Sequence, residues 1–533
     1  MYLEPNANHV LCAKDDETGE PLGEMCEEVY VSEKRVNLLT GKYTVKLSLW
    51  IDGEEKTFTI PRQKLDKRLL PILLDKGLTL LDTPENMEVV LAYILGSDKT
   101  APVVYEHDKL GFCEVGGKTV FLANEVIGDC KKVSHYFKPE VTAPKGTVET
   151  WLDIVNKEVI GHPHMELALA IGASAPVAHL LQAAKIIVEI PIFNLAGESS
   201  TGKTSSVRLM ASITGSAEEG SGLIKDFNTS SRAVLAMLQD RGIIHLIDES
   251  TTMGMKDPSD MLYKLSKGMD KLTCNPDGSL KERQMFTGCV VITGELDMLK
   301  LSAANLGLYA RVIILTFPWT DDADHARRIT QGFRTNYGTA IIPYAKRLLT
   351  LQKHPNLLKA GFNQELREFR DKIGNVSGVE ERLLNAYATV TLSATLFSKA
   401  LGLDVDIPGM RDLLAEAHRK APHKGDIAQE LYDTIFDEVA LHGQHFPTTS
   451  GKKRHLIAPD SLWGEQTTLQ GKEVLWIAGN KFQEFARNHG FDNPTPYLQE
   501  LHKQGLVKKY SDGFTTKHNL GGNQVRCYCF YKS

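Results

Sequence analysis

The chain lacks several features that would narrow its class at once. Its eight cysteines are scattered, no C-x-x-C pair occurs, and the only close pair is Cys527 with Cys529. That argues against a cysteine zinc site or a disulfide framework and leaves reduced thiols packed as small hydrophobes. No apolar run reads as long enough to span a bilayer. The start, Met1-Tyr2-Leu3-Glu4-Pro5, lacks the basic-then-apolar order of a secretory signal. The expectation is a protein of the bacterial cytoplasm with no membrane partner. There is no internal repeat and no low-complexity tract, so neither a solenoid nor a disordered array is expected. A net charge of −6 excludes a polycation that coats nucleic acid with its whole surface. A chain of 533 residues is too long for one core, and about three domains are expected.

What is present begins with the run Gly197-Glu198-Ser199-Ser200-Thr201-Gly202-Lys203-Thr204, which fits G-x-x-x-x-G-K-[ST] at every fixed position. The apolar run Ile192–Ala196 before it reads as a buried strand, and Ser205 to Ile213 after it reads as a helix. The glycines let backbone N–H groups turn toward a phosphate chain, and the helix start adds partial positive charge. All eight loop residues, with Ser205, are therefore expected to hold ATP. Lys203 would reach the outer phosphates and Thr204 would hold Mg²⁺.

Hydrolysis needs further groups. Ile243-Ile244-His245-Leu246-Ile247-Asp248-Glu249 is an apolar strand ending in two carboxylates. Strand ends line the ligand crevice of parallel sheets, so Asp248 is expected in the Mg²⁺ shell and Glu249 as general base. A third strand ends at Thr293, which would position the lytic water. A fourth, from Val312, is preceded by Arg311, which could reach a neighbouring subunit's nucleotide as an arginine finger, although a plain strand-edge arginine would look the same. In this order the parts describe an ATPase of the AAA+ kind, with the Thr293 strand between the loop strand and the Asp-Glu strand.

Around that core, Asn275-Pro276-Asp277-Gly278 is a turn signal whose flanks can pair as a hairpin. Projected into a channel, it would bring Lys271, Lys281 and Arg283 to a nucleic-acid backbone; as a surface hairpin it would simply be solvated. Residues 323–440 are helix-periodic and read as a lid, with Arg382 as a second sensor of the γ-phosphate or a helix-surface arginine. Residues 441–470 read as a linker. From Gly471 onward nine basic residues face five acidic ones. The pattern there, two helices and a closing hairpin, is that of a winged helix. Lys503, Lys508 and Lys509 are its expected nucleic-acid contacts, and a pure protein-docking module remains the alternative. Residues 1–145 read as a β-rich collar without a catalytic constellation, and 146–322 as the ATPase core.

With these residues in place, a resemblance can be stated. The order Lys109–Gly128, Trp151–Asn156, phosphate loop, "IIHLIDES", basic hairpin, "VVITGE" and "ARVIIL" resembles an uncharacterised-domain family of phage and mobile-element ATPases, often labelled inactivated superfamily II helicases. Within it the chain is similar to the MCM-like, self-loading replicative helicases of staphylococcal cassette chromosome elements. The resemblance implies a homohexameric ring that translocates on single-stranded and forked DNA, alongside possible replication partners of the element. It places Lys203, Thr204, Asp248, Glu249 and Thr293 in one subunit and Arg311 in the next. Thr293 departs from the Asn usual at the MCM sensor tip. The competing readings are an AAA+ assembly switch without unwinding and an RNA translocase, the latter without any RNA-binding module to support it.

Overall fold

A computed structural model describes every residue except 81–82, 219–221, 227–233, 235–237, 249–256, 270–273, 275–276, 278, 281–284, 296, 302–306, 375, 377–379, 422–423, 449–460, 490, 492–493 and 533. At its centre, four strands run parallel in the order Arg241–Asp248, Thr287–Gly294, Ile192–Ala196 and Val312–Leu315. The Thr293 strand lies between the other two as expected. Side chains alternate along these strands between two cores. Phe193, Leu195, Val291 and Leu246 enter one; Ile192, Val290, Ile292 and Ile247 enter the other. With both faces covered, the strands read as continuous apolar runs rather than as alternation. Among the buried polar residues of these strands, Asn194 sits in the strand before the loop, fully buried. Its Nδ2 donates to the Ile292 carbonyl at 3.2 Å, and its Oδ1 accepts from the Met298 N–H at 2.9 Å.

The first core is built on the helix Pro163–Ala183, which is apolar almost all round. By length and composition it could cross a bilayer, which corrects the reading of no such run, but it is mostly buried inside the protein. Gly172 lets the helix Lys203–Ser212 approach closely, since a Cβ there would sit 3.0 Å from Met210 Cα. Helices Ile341–Gln352 and Glu381–Leu401 pack on the same core, and the Tyr344 hydroxyl donates to the Ala173 carbonyl at 2.9 Å. The helical segment thus shares the core of the central sheet.

The N-terminal part holds a three-stranded antiparallel sheet, Tyr2–Pro5, Val10–Lys14 and Pro21–Glu27. A five-stranded sheet follows, in the order Ser134–Tyr136, Val103–His107, Val29–Asn37, Tyr43–Ile51, Glu54–Pro61. The helix Pro84–Thr100 packs on it, capped by the Thr83 side chain. The expected boundary at 145 does not follow the sheets. The hairpin Gly111–Val115/Lys118–Leu122 joins the central sheet through Gly111 beside Arg241. A Cβ at Gly111 would fall 1.8 Å from the Arg241 carbonyl oxygen, so only glycine permits this junction.

The C-terminal part is a four-stranded antiparallel sheet in the order Gly464–Leu469, Lys472–Ala478, Asn523–Tyr531, Thr515–Leu520. Helices Gly479–Asn488 and Thr495–Lys503 pack against it. Two expectations change here. The segment 464–469, read as linker, is a strand. The helix Lys424–Leu441, read as the end of the lid, buries Ala428, Leu431, Ile435 and Val439 in the C-terminal core, and the Tyr432 hydroxyl donates to the Tyr531 carbonyl at 2.7 Å.

Candidate phosphate-binding site

The loop between the strand Ile192–Ala196 and the helix Lys203–Ser212 turns through three left-handed residues: Gly197 at φ +134°, Ser200 at φ +64° and Gly202 at φ +84°. Gly202 is required twice over, because a Cβ would also lie 2.5 Å from Thr320 Oγ1. Gly202 is the N-cap of the helix and gives no side-chain cap. The first helical N–H groups are therefore left for a ligand, which is how helix starts hold phosphate. The loop is braced from outside by the Trp319 N–H, which donates to the Thr201 carbonyl at 2.7 Å.

Lys203 folds back over this loop, its Nζ donating to the Gly197 carbonyl at 2.9 Å and to the Glu198 carbonyl at 2.5 Å. Burial lowers its pKa below the ordinary lysine value, and the nearby carboxylates of Glu295 and Asp248 oppose that shift. The loop itself reaches the ends of the strands Arg241–Asp248 and Thr287–Gly294. There the buried Thr293 hydroxyl donates to Asp248 Oδ1, and the Ser199 hydroxyl donates to Glu295 Oε1. The structure brings Ser199, Lys203, Asp248 and Thr293 together around one strand-end crevice. Thr204 is half-buried at the helix start. These donors suit a magnesium-bound triphosphate: backbone N–H groups and an ammonium for phosphate, a hydroxyl and a carboxylate for a hard cation. Ser205 differs, for its hydroxyl is spent on the Ala326 carbonyl at 3.1 Å and Thr330 Oγ1 at 3.3 Å, which leaves its backbone N–H as its contribution to the loop. Glu249 lies outside the described residues.

The two predicted arginines lie elsewhere, and together. Arg311 Nη2 is 3.0 Å from Glu189 Oε1, and Arg382 Nε is 3.1 Å from Glu189 Oε2. Arg311 also lies over the Tyr263 ring at 5.1 Å, and its Nε is buried with no hydrogen-bond partner among the described residues. Both line a cavity of about 320 Å³ with Val188 and Pro191. Glu189 precedes the loop strand whereas the loop follows it, and five strand residues put the two ends roughly 16 Å apart or more. Arg382 is therefore not over its own phosphate loop, which corrects that expectation. Its helix begins at Glu381 against the strand's entry end, and that directs it to the same side as Arg311.

Around the turn predicted at 275–278, Met269 bridges Met285 and Cys274 bridges Leu280, both antiparallel. Lys271, Lys281 and Arg283 themselves lie outside the described residues. In the C-terminal part Lys503 and Lys509 are exposed and Lys508 is half-buried. Lys503 pairs with Glu500 at 3.0 Å, and Lys508 lies 5.5 Å from the centre of the Tyr510 ring. Sequence reasoning missed Glu189, Glu295, Trp319 and Thr320. Only Glu295 carried a signal, as the acid after Thr293-Gly294.

Residues 4–285 match the family described as Domain of unknown function (DUF927), and the chain belongs to that family. Residues 426–531 match the Cch helix turn helix domain, a span that opens at the helix Lys424–Leu441 rather than at 471. The structure is similar to a solved one described as "SCCmec type IV Cch - active helicase", with a TM-score of 0.73 and 21% identity over 99% of this chain and 96% of that one. At that identity the likeness is one of fold. No curated protein matches the chain.

Proposed function

We propose that the chain is an ATP-driven DNA helicase of the AAA+ kind, acting as a homohexameric ring in the replication of a mobile element. The observation that carries this reading is the crevice at the strand ends, where the loop residue Ser199 bonds Glu295, Thr293 bonds Asp248, and the Lys203 ammonium lies folded over the left-handed loop. In it, the loop N–H groups and Lys203 hold the phosphates of ATP, and Thr204 and Asp248 hold Mg²⁺, which when bound neutralises charge on the transferring phosphoryl group. Thr293 keeps the Asp248 carboxylate oriented. Glu249 is the base that takes the proton from the attacking water. Arg311 and Arg382, set by Glu189 at the far edge of the sheet, serve the nucleotide of the next subunit. The helices from 323 to 420 form the lid. The C-terminal module is a winged helix that meets DNA through Lys503, Lys508 and Lys509, and the basic hairpin carrying Lys271, Lys281 and Arg283 contacts the strand in the channel.

The likeness in fold to a protein described as an active helicase, along nearly the whole of both chains, supports the helicase reading over a simple nucleotide switch. The test is strand separation on a forked DNA duplex with ATP and Mg²⁺, beside Lys203→Ala. Unwinding by the wild type and none by the variant is expected. Hydrolysis of ATP without separation of any fork would replace the helicase with an assembly switch, and stimulation by RNA rather than DNA would redirect it to an RNA translocase.

A further inference from the structure

Two histidines and an aspartate meet where the segment after the strand Val312–Leu315 reaches the start of the long core helix. His162 Nδ1 lies 2.9 Å from Asp321 Oδ2, and His325 Nδ1 lies 3.7 Å from the same oxygen. The two imidazole rings are 4.3 Å apart, centre to centre. One ligand atom from each residue can be chosen so that all three lie within 4.8 Å of one another.

His325 is the buried member. It is buried to 1% exposure, and its Nε2 lies 2.8 Å from the Glu158 backbone carbonyl. A carbonyl can only accept, so the proton sits on Nε2 and the lone pair on Nδ1 points toward Asp321. An imidazole held through its far N–H by a backbone carbonyl is oriented as metal-bound histidines are. The Asp321 N–H approaches that lone pair at 3.3 Å, a long contact that an ion would displace. The Glu158 carboxylate is engaged by Arg328 Nε at 2.8 Å. The Asp321 side chain is 66% exposed and that of His162 29%, so the cluster opens to solvent on one side.

We propose that His162, Asp321 and His325 bind one divalent transition-metal ion of the zinc type, with water completing the shell. Two neutral imidazole nitrogens and one carboxylate oxygen suit zinc, whereas magnesium prefers oxygen donors throughout. The ion ties the segment before the helix Ala323–Thr335 to the start of the helix Pro163–Ala183. That segment also holds Trp319 and Thr320, which brace the phosphate loop at Thr201 and Gly202. The site is thus a clasp behind the nucleotide pocket, separate from the magnesium ligands.

The test uses the full-length protein, stripped by a chelator and titrated with ZnCl₂ by calorimetry, with X-ray absorption on the zinc-loaded sample. His325→Ala would empty a buried position, so the test rests on His162→Ala and Asp321→Ala, checked for folding by circular dichroism. His164→Ala, at a neighbouring histidine stacked on Phe317, is the control. The expected result is one zinc per chain in an oxygen and nitrogen shell. Binding should be weakened about tenfold or more in both ligand variants and unchanged in His164→Ala. Zinc should raise the thermal midpoint of the wild type and not of His162→Ala. No saturable binding, equal binding by the ligand variants, or sulfur in the shell would overturn the site.

Discussion

At the scale of single residues, the loop proposed to hold phosphate is set by what cannot be placed in it. Gly202 combines a left-handed backbone with a Thr320 side chain in the space a Cβ would occupy. Gly202→Ala is therefore expected to cost about 2 kcal/mol or more at the loop and to abolish nucleotide binding, as read by thermal denaturation and fluorescent-nucleotide titration. Lys203→Ala should separate the two effects. Its ammonium touches only loop atoms, two carbonyls and the Thr201 hydroxyl, in the hydrogen bonds seen, so binding is lost while the melting temperature stays within a few degrees. Thr293 shows what a sequence can say about a single position. Its place at a strand tip beside a carboxylate could be read from the apolar run that precedes it. Its pairing with Asp248 across 45 residues needed more: the expected strand order makes the two strands neighbours, but the register that sets the two side chains opposite each other is not written in either run.

At the scale of elements, runs with one strong period were legible. The strands Ile192–Ala196 and Arg241–Asp248, the hairpin around Gly116-Gly117 and the two C-terminal helices lie where their apolar and turn residues put them. The pieces that escaped were those whose identity depends on partners. The helix Pro163–Ala183 is apolar all round because other elements cover every side of it, so it carries no amphipathic stripe to read. The strand Gly464–Leu469, rich in Glu, Gln and Thr, looks like loop until Lys472–Ala478 pairs with it. Where three elements meet, a pH dependence follows. His179, on the long helix, stacks on Phe112 of the hairpin and bonds Thr287 Oγ1 of the sheet at 2.7 Å. Burial, with a smaller contribution from Arg241, pushes its pKa down to about 4. The fold thus holds a neutral imidazole that the unfolded chain protonates first. Stability conferred by neutral His179 is full above pH 6.5 and falls as the pH drops to about 4, by about 3 kcal/mol in all. His245, pushed by burial to about 3, adds in the same direction. Asp240, raised by burial to about 6, acts oppositely, its ionisation costing stability as pH rises through about 4 to 6. Melting temperatures of the wild type should therefore fall more steeply from pH 6.5 to 4 than those of His179→Gln. Equal slopes would show that His179 is not the group responsible.

At the scale of the whole molecule, the crevice proposed for phosphate and the arginine pair occupy opposite ends of one parallel sheet, and that separation constrains the proposed assembly. An arginine some 16 Å or more from the loop cannot stabilise charge on its own chain's nucleotide. A head-to-tail contact, by contrast, would bring the edge bearing Arg311 and Arg382 to the next subunit's crevice, and repetition of such a contact would close the proposed ring if its rotation returns to the first subunit. In such an assembly Glu189 would serve two states: it pairs with one nitrogen of each guanidinium group while the edge is uncovered, and it would hold the two side by side when a phosphate arrives. Mixing variants tests this directly. Lys203→Ala lacks a working loop but keeps its arginines; Arg311→Ala keeps its loop but lacks the finger. Each alone should hydrolyse almost no ATP. Combined in equal amounts and allowed to exchange, every Arg311→Ala loop that adjoins a Lys203→Ala subunit regains its finger. The mixture should therefore recover roughly a quarter of the wild-type rate per chain in a randomly assembled ring. Arg382→Ala in place of Arg311→Ala should behave alike, since Glu189 binds both residues at one edge. A mixture as silent as its components would mean that these arginines act within their own chain or only through Glu189, and the ring would lose the residues that make one subunit's hydrolysis depend on the next.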